Sequence, residues 1–233
     1  MLLKPFIKIM EIINFVILLP QVKTFLDMSF SLLLIIIILT VIVSLNGFKD
    51  RELTEKLLYS PYRTKHYKEF YRILSHTIIH ADLTHLLFNM FSLYFLGSLL
   101  EKNLIAEYGI VQGEIHFLLI YLFGGIFATL IPYARNQDNP NYRSLGASGA
   151  VSAVIFATII WNPTLQLGLL FIPIPIPAYI FGPLYLAFEY FADKKGGTGI
   201  AHDAHIGGAI FGILYVLIIN IDKGKEFFTL IFS

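Results

Sequence analysis

Ser144-Leu145-Gly146-Ala147-Ser148-Gly149-Ala150 is the stretch on which the reading of this chain turns. Before it lies a polar loop, Ala134-Arg135-Asn136-Gln137-Asp138-Asn139-Pro140-Asn141-Tyr142-Arg143. After it, Val151 to Trp161 carries no charge. Ser148 therefore stands at the mouth of a membrane helix, flanked by residues small enough to let another backbone approach. A hydroxyl there has two uses. Small residues and Ser hold membrane helices together, and a Ser just under the membrane surface can also serve as a nucleophile. Gly-x-Ser-Gly alone does not choose between them.

The rest of the composition fixes the setting. Of 233 residues 56% are hydrophobic and only 14% charged, and the mean hydropathy is +0.71. That class is integral membrane, with the lipid bilayer as its surroundings. A net charge of +1 argues against nucleic acid as a partner. The chain has no cysteine, which excludes disulfides, thiol catalysis and thiolate metal sites. Nothing in the pattern calls for a cofactor or a metal.

Working outward, the uncharged run Leu145–Trp161 reads as a fourth span. Met28–Phe48, Leu83–Leu100 and Ile115–Ala134 precede it as the first, second and third. Phe171-Ile172-Pro173-Ile174-Pro175-Ile176-Pro177 follows, where alternating prolines deny a helix its donors, so an extended apolar loop is expected. Ala178–Ala192 is a fifth span and Asp203–Ile221 a sixth. Residues 49–82 form a long polar loop so rich in aromatics that structure of its own is expected. Residues 1–27 hold an apolar stretch too short to cross a ~30 Å core, which fits an interfacial segment better; a further span over residues 6–19 is the competing count. The organisation is thus an interfacial segment at 1–27, a six-helix unit at 28–221 and a short polar and apolar tail at 222–233: an all-α integral membrane bundle.

Polar groups inside spans are costly and by default mark function. Consecutive spans alternate direction, so the second, fourth and sixth enter from one side. His85, Asn89, Ser148 and His205 all lie early in those three spans and so share one layer. His116 opens the third span, at the opposite face. Glu189, near the exit of the fifth, returns toward the shared layer and reads as a carboxylate snorkelling to the headgroups. Asp203, about 200° around the helix from His205, reads as the N-cap of the sixth span. With no carboxylate evidently placed beside the base, Ser148 and His205 form a nucleophile and general base as a dyad. His85 and Asn89, four apart on one face, are candidate donors to an oxyanion together with the Ser148 N–H; the same pair also suits plain interhelical hydrogen bonding. Gly208 and Gly212 give the sixth span a smooth strip for close packing.

This constellation resembles the rhomboid family of intramembrane serine proteases. The matching residues are Gly146-Ala147-Ser148-Gly149, His85-x-x-x-Asn89 preceded by His80-Ala81, and Ala204-His205-x-x-Gly208-x-x-x-Gly212. Glu69-Phe70-Tyr71-Arg72 looks like the family's aromatic-Arg element in its first loop, and Gly97-x-x-x-Glu101 like its second-helix ending. The resemblance implies a six-helix rhomboid-like bundle and a Ser148–His205 dyad. It implies an oxyanion hole from His85, Asn89 and the Ser148 N–H, with Gly146, Gly149, Gly208, Gly212, Arg72 and Glu101 in support. The implied substrates are transmembrane proteins, cut in or beside their membrane segments, and the implied location is a cell or inner membrane. Two departures stand out. Where many members carry an aromatic four residues after the nucleophile, this chain has Ser152, so the orientation of His205 must be secured otherwise. The family orientation would also put six Lys and Arg on the cytoplasmic side and eleven on the other, against the positive-inside tendency. Two other readings keep the same residues: a rhomboid-like pseudoprotease that binds membrane segments without cutting them, and a small transporter. A transport path should continue to the far face, where apart from His116 the second, fourth and sixth spans are apolar.

Overall fold

The computed structural model describes residues 31–169 and 172–232. The segment expected over residues 1–27, and the competing span at 6–19, lie outside them. The described residues from Leu33 onward form one compact unit.

The axis of that unit is the helix that Ser148 opens, Ser148–Trp161. All of it except Ser148 and Ile155 is buried. At 14 residues it is about 21 Å long, short of a ~30 Å hydrocarbon core. Protein rather than lipid surrounds it, so its short length leaves no backbone group facing hydrocarbon, and its end can stop inside the membrane. In chain order α1 is Leu32–Gly47, and the long loop folds into α2, Arg51–Leu57, α3, Pro61–His66, and α4, Arg72–Ser75. Then come α5, Leu83–Tyr108, α6, Ile110–Ala128, α7, Leu130–Asn136, and the central helix, α8. The remaining helices are α9, Ala178–Lys195, α10, His202–Ile219, and α11, Ile221–Phe232.

Among the described residues, α5, α6 with α7, and α10 are long and apolar enough to cross a membrane; α1 and α8 are shorter apolar helices. With α9, which carries Glu189 and a charged end, they correspond to the six expected spans. The turn between the second and third spans falls at Gly109, whose φ of 82° suits glycine. The second span therefore runs to Tyr108 and the third begins at Ile110, because Lys102, Glu107 and Glu114 sit on helical ends that extend past the apolar runs. The outward faces are apolar, with Leu87, Phe88, Phe91 and Phe95 on α5 and Leu184, Phe188 and Phe191 on α9 exposed, as lipid permits and water would not.

Two expectations are revised. The proline-rich loop is extended, but it is a strand: β2, Ile172–Pro177, pairs antiparallel with β1, Gln166–Leu169. A two-stranded hairpin is all edge, the one sheet position where prolines are tolerated. The tail is helical as α11, and it packs back: Gly224 lies against Leu217, Phe227 is buried, and the Lys223 ammonium lies 5.9 Å from the Trp161 ring centroid.

Candidate active site

The site is built from the entry to α8. Gly146 has φ of 119°, and a Cβ there would fall 2.5 Å from the His85 ring, so only glycine fits both the turn and the close approach. Three pieces of the first loop hold the backbone leading to the Ser148 hydroxyl. Tyr59 and Ser144 exchange backbone hydrogen bonds of 2.8 and 3.1 Å, the Gly146 N–H donates to the His76 carbonyl at 2.9 Å, and the Ala147 N–H donates to His80 Nε2 at 3.2 Å. That last bond leaves Nε2 without a proton, so Nδ1 carries it, toward Ser44 Oγ at 3.0 Å. The Ser44 hydroxyl in turn donates to the Ile78 carbonyl at 3.1 Å. Burial keeps His80 in this neutral form by pushing its pKa down to about 3, and that of His76 to about 4. The sequence motif around His80 gives it no role; only its spatial neighbour Ala147, distant in sequence, supplies one.

Arg72 secures this loop. It is buried, and its guanidinium donates to the Glu55 and Leu58 carbonyls at 2.8 and 2.7 Å and to Glu69 at 2.5 Å. Hydrogen bonding from Arg63, with Arg72 adding to it, holds the Glu69 carboxyl down at about 2. Glu101 sits on α5, buried, and accepts the Leu33 N–H at 3.1 Å, fixing the start of α1. The two side chains thus hold parts of the scaffold, the first loop and the start of α1.

The second half of the site arrives on α10. A methyl on Gly208 would land on the Gly149 carbonyl oxygen, and one on Gly212 on that of Ala153. Gly149 itself meets Ala128 of α6. Helices α8 and α10 are therefore in backbone contact along the glycine strip. One turn above that contact, His205 Nε2 lies 2.8 Å from Ser148 Oγ. Beside Ser148 is a cavity of about 20 Å³, lined in part by His76, Ser144, Gly146 and Ala204, room for one water.

Two carboxylates are not where the sequence reading put them. Glu189 does not snorkel: it is 3% exposed. Its Oε2 lies 2.6 Å from His202 Nδ1 and its Oε1 3.1 Å from His205 Nδ1. The rotation of α9 that turns Glu189 inward also leaves Phe188 and Phe191 facing out, which apolar surroundings favour. Asp203 does not cap the helix, because α10 starts one residue earlier, with Ala201 at the cap position. It accepts from the Ala204 N–H at 2.9 Å and pairs at 3.3 Å with Arg135, which also holds Asp193 at 2.9 Å. The His202 ring closes the cluster, its Nε2 2.9 Å from Thr198 Oγ1.

The expected oxyanion donors line the same side. His85 packs edge-on to His80 at 5.0 Å between centroids and against Gly146. Asn89 is buried and spends one amide hydrogen on the His85 carbonyl at 3.0 Å, leaving its second N–H for another acceptor. His116 bonds Tyr215 at 2.9 Å in another part of the bundle, between α6 and the later turns of α10. Glu189, His202 and His205 present three potential ligand atoms within 4.8 Å of one another. His202 Nδ1 is already engaged by Glu189 Oε2 at 2.6 Å, and His205 Nε2 by the Ser148 hydroxyl at 2.8 Å, so the arrangement reads as a polar cluster rather than a ligand set.

The fold is a helical membrane bundle in which a Ser hydroxyl and a His ring meet at one layer. The chain belongs to the rhomboid family: the family model described as Rhomboid domain matches residues 67–221. Over 146 residues it is 30% identical to RHOMBOID-like protein 12, mitochondrial, of Arabidopsis thaliana, covering 58% of this chain and 43% of that protein. It is likewise 30% identical to the human presenilin-associated rhomboid-like protein, mitochondrial, covering 62% and 36%. It is 27% identical to the Rhomboid protease GlpG of Yersinia pestis over 156 residues, covering 66% and 50%. The matched region thus spans between about a third and a half of these curated relatives' length.

Proposed function

We propose that this multi-pass membrane protein is an intramembrane serine endopeptidase, cutting a peptide bond in or beside the transmembrane segment of another membrane protein. The observation that carries the reading is the 2.8 Å separation of Ser148 Oγ and His205 Nε2 at the mouth of a buried helix. In this mechanism Oγ attacks the substrate carbonyl carbon while its proton passes to Nε2. The charge that develops on the carbonyl oxygen falls to the Ser148 N–H, the second N–H of Asn89 and His85. The imidazolium then protonates the departing amine, and water activated by the same imidazole hydrolyses the acyl-serine. One matched relative is named a protease, which supports the reading, and two are named mitochondrial.

The test is an active-site fluorophosphonate probe on the purified chain, read beside cleavage of a transmembrane peptide. Wild-type protein should label and cleave, and Ser148→Ala and His205→Ala should do neither while staying folded in detergent. Ser152→Ala should keep activity, since Ser152 lies one turn, about 6 Å, further along the helix. Residual cleavage by Ser148→Ala that disappears when Ser152 is also changed would reassign the nucleophile. Binding of membrane segments by wild-type protein with neither labelling nor cleavage would make it a pseudoprotease.

A further inference from the structure

We propose that Glu189 is a positioning residue for the base: a buried carboxylate that accepts the Nδ1 proton of His205 and so fixes the tautomer in which Nε2 takes the proton of Ser148. The inference rests on the protease reading and extends it from two residues to a relay of five, Thr198–His202–Glu189–His205–Ser148.

Proton bookkeeping demands such a group. Nε2 can act as a base only while it is unprotonated, so the resting ring must carry its proton on Nδ1, and a buried N–H needs an acceptor. His205 Nδ1 is buried and makes no hydrogen bond as it stands. Glu189 Oε1 stands 3.1 Å from it, off the line of the N–H. Catalytic hydrogen bonds are often loose before substrate binds and tighten in the reacting complex. The carboxylate is itself held. His202 Nδ1 lies 2.6 Å from Oε2, the length of a charge-assisted bond, and the Thr198 hydroxyl lies 2.9 Å from His202 Nε2. With Thr198 donating to Nε2, His202 donates from Nδ1, and every donor in the chain points one way, toward Glu189. The side chains of Glu189 and His202 are only 4% and 5% exposed, so water does not compete.

The relay also answers the departure at Ser152. No aromatic ring from α8 backs the imidazole here. The orienting group instead comes from α9, where the Tyr185 hydroxyl is near enough to both Glu189 and Ser152 to interact. When Ser148 gives up its proton, the imidazolium faces a fixed negative charge in a low-dielectric site, where such a pair is worth most.

The experiment uses the full chain in proteoliposomes with a fluorogenic transmembrane peptide. Glu189→Gln keeps the shape and removes the charge. It should lower kcat by about 10²-fold or more with KM little changed, since the loss is one of tautomer and imidazolium stabilisation. Glu189→Asp should recover part of the rate. The other titratable groups about this pair are His85 on α5, Tyr185 on α9 and His202 on α10, and Glu189→Gln leaves all three in place. Nitrogen-15 histidine NMR on Ser148→Ala reads the tautomer without any turnover: the proton should sit on Nδ1 of His205, and Glu189→Gln in that background should scramble it. A proton on Nε2 in Ser148→Ala alone overturns the proposal even if Glu189→Gln fails to fold. So does an unchanged rate, or a lost rate with the tautomer unmoved and no recovery with Asp, which is the behaviour of a packing group. Activity lost on dialysis against EDTA and restored by zinc overturns it too, by making the three residues ligands. If wild-type protein neither cleaves nor labels while the tautomer still depends on Glu189, the protease reading fails and the pairing stands.

Discussion

Gly208 is the most sensitive point in the bundle, and Gly208→Ala is the sharpest test of how the site is assembled. The added methyl would overlap the Gly149 carbonyl oxygen. Neither partner can yield by a rotamer change, because both groups are backbone. Helices α8 and α10 must therefore part at this level, by about 1 Å or more, for an ordinary contact to be restored. The displacement acts where it matters: Gly208 is three residues from His205 and Gly149 is next to Ser148. A dyad distance of 2.8 Å would open beyond hydrogen-bond reach. Overpacking of this kind costs about 1–3 kcal/mol, which for a domain of this size lowers Tm by roughly 2–12 °C. A misplacement near 1 Å costs turnover about 10²-fold. The assay pairs cleavage of a transmembrane peptide with a thermal shift in the same detergent. Gly182→Ala serves as control, since a methyl there meets only Ile159 and Phe156 side chains, at 3.3 Å and beyond; it should keep most activity. Wild-type kcat and Tm in Gly208→Ala would refute the reasoning, because the two helices could then not be in backbone contact beside the dyad.

Asn89→Ala should reduce kcat by about 10²-fold with substrate affinity little changed, if its free amide hydrogen meets the oxyanion; affinity lost with turnover of bound substrate intact would mark it as a structural contact. Acid should destabilise the fold in two stages. His76 and His80 have folded-state pKa values near 4 and 3, below the ordinary 6.5, so the unfolded chain binds more protons as pH falls below about 6.5, and stability drops from there. Glu69, held near 2 against an ordinary 4.5, adds a loss between pH 4.5 and 2. The Tm in detergent should be flat above pH 7 and fall between pH 6.5 and 5, less steeply in His80→Gln; a flat profile down to pH 5 contradicts the buried neutral rings. For orientation, Lys56→Cys and Glu107→Cys, both at exposed positions, place single thiols on opposite sides of a chain that has none. An impermeant maleimide on intact cells should label residue 56 and not 107. The reverse pattern would side with the Lys and Arg count.

What could be read directly from the sequence was whatever depends on local order along the chain. Hydrophobic runs mark spans because an apolar helix in lipid needs no partner to satisfy its backbone. Because spans alternate, their parity alone put His85, Asn89, Ser148 and His205 in one layer. The spacing of Gly208 and Gly212 marked a face that another helix could meet closely, and the family resemblance followed from those motifs. Tertiary structure decided what depends on the rotation of one helix against another and on groups far apart in sequence. Nothing local says which way α9 turns, since Glu189 has aromatic neighbours on every side in its sequence. Only its packing against α10 brings the carboxylate to His202 and His205. The partner of Asp203, Arg135, lies 68 residues earlier and is invisible to spacing, which by itself suggests only a cap. His80 gained a role only when the loop folded and brought its ring to the Ala147 N–H, 67 residues away. Depth in the membrane is written in hydropathy, one residue at a time. The direction a polar side chain faces is set by which neighbours can satisfy its charge or its hydrogen bonds, and that is a property of the packed bundle.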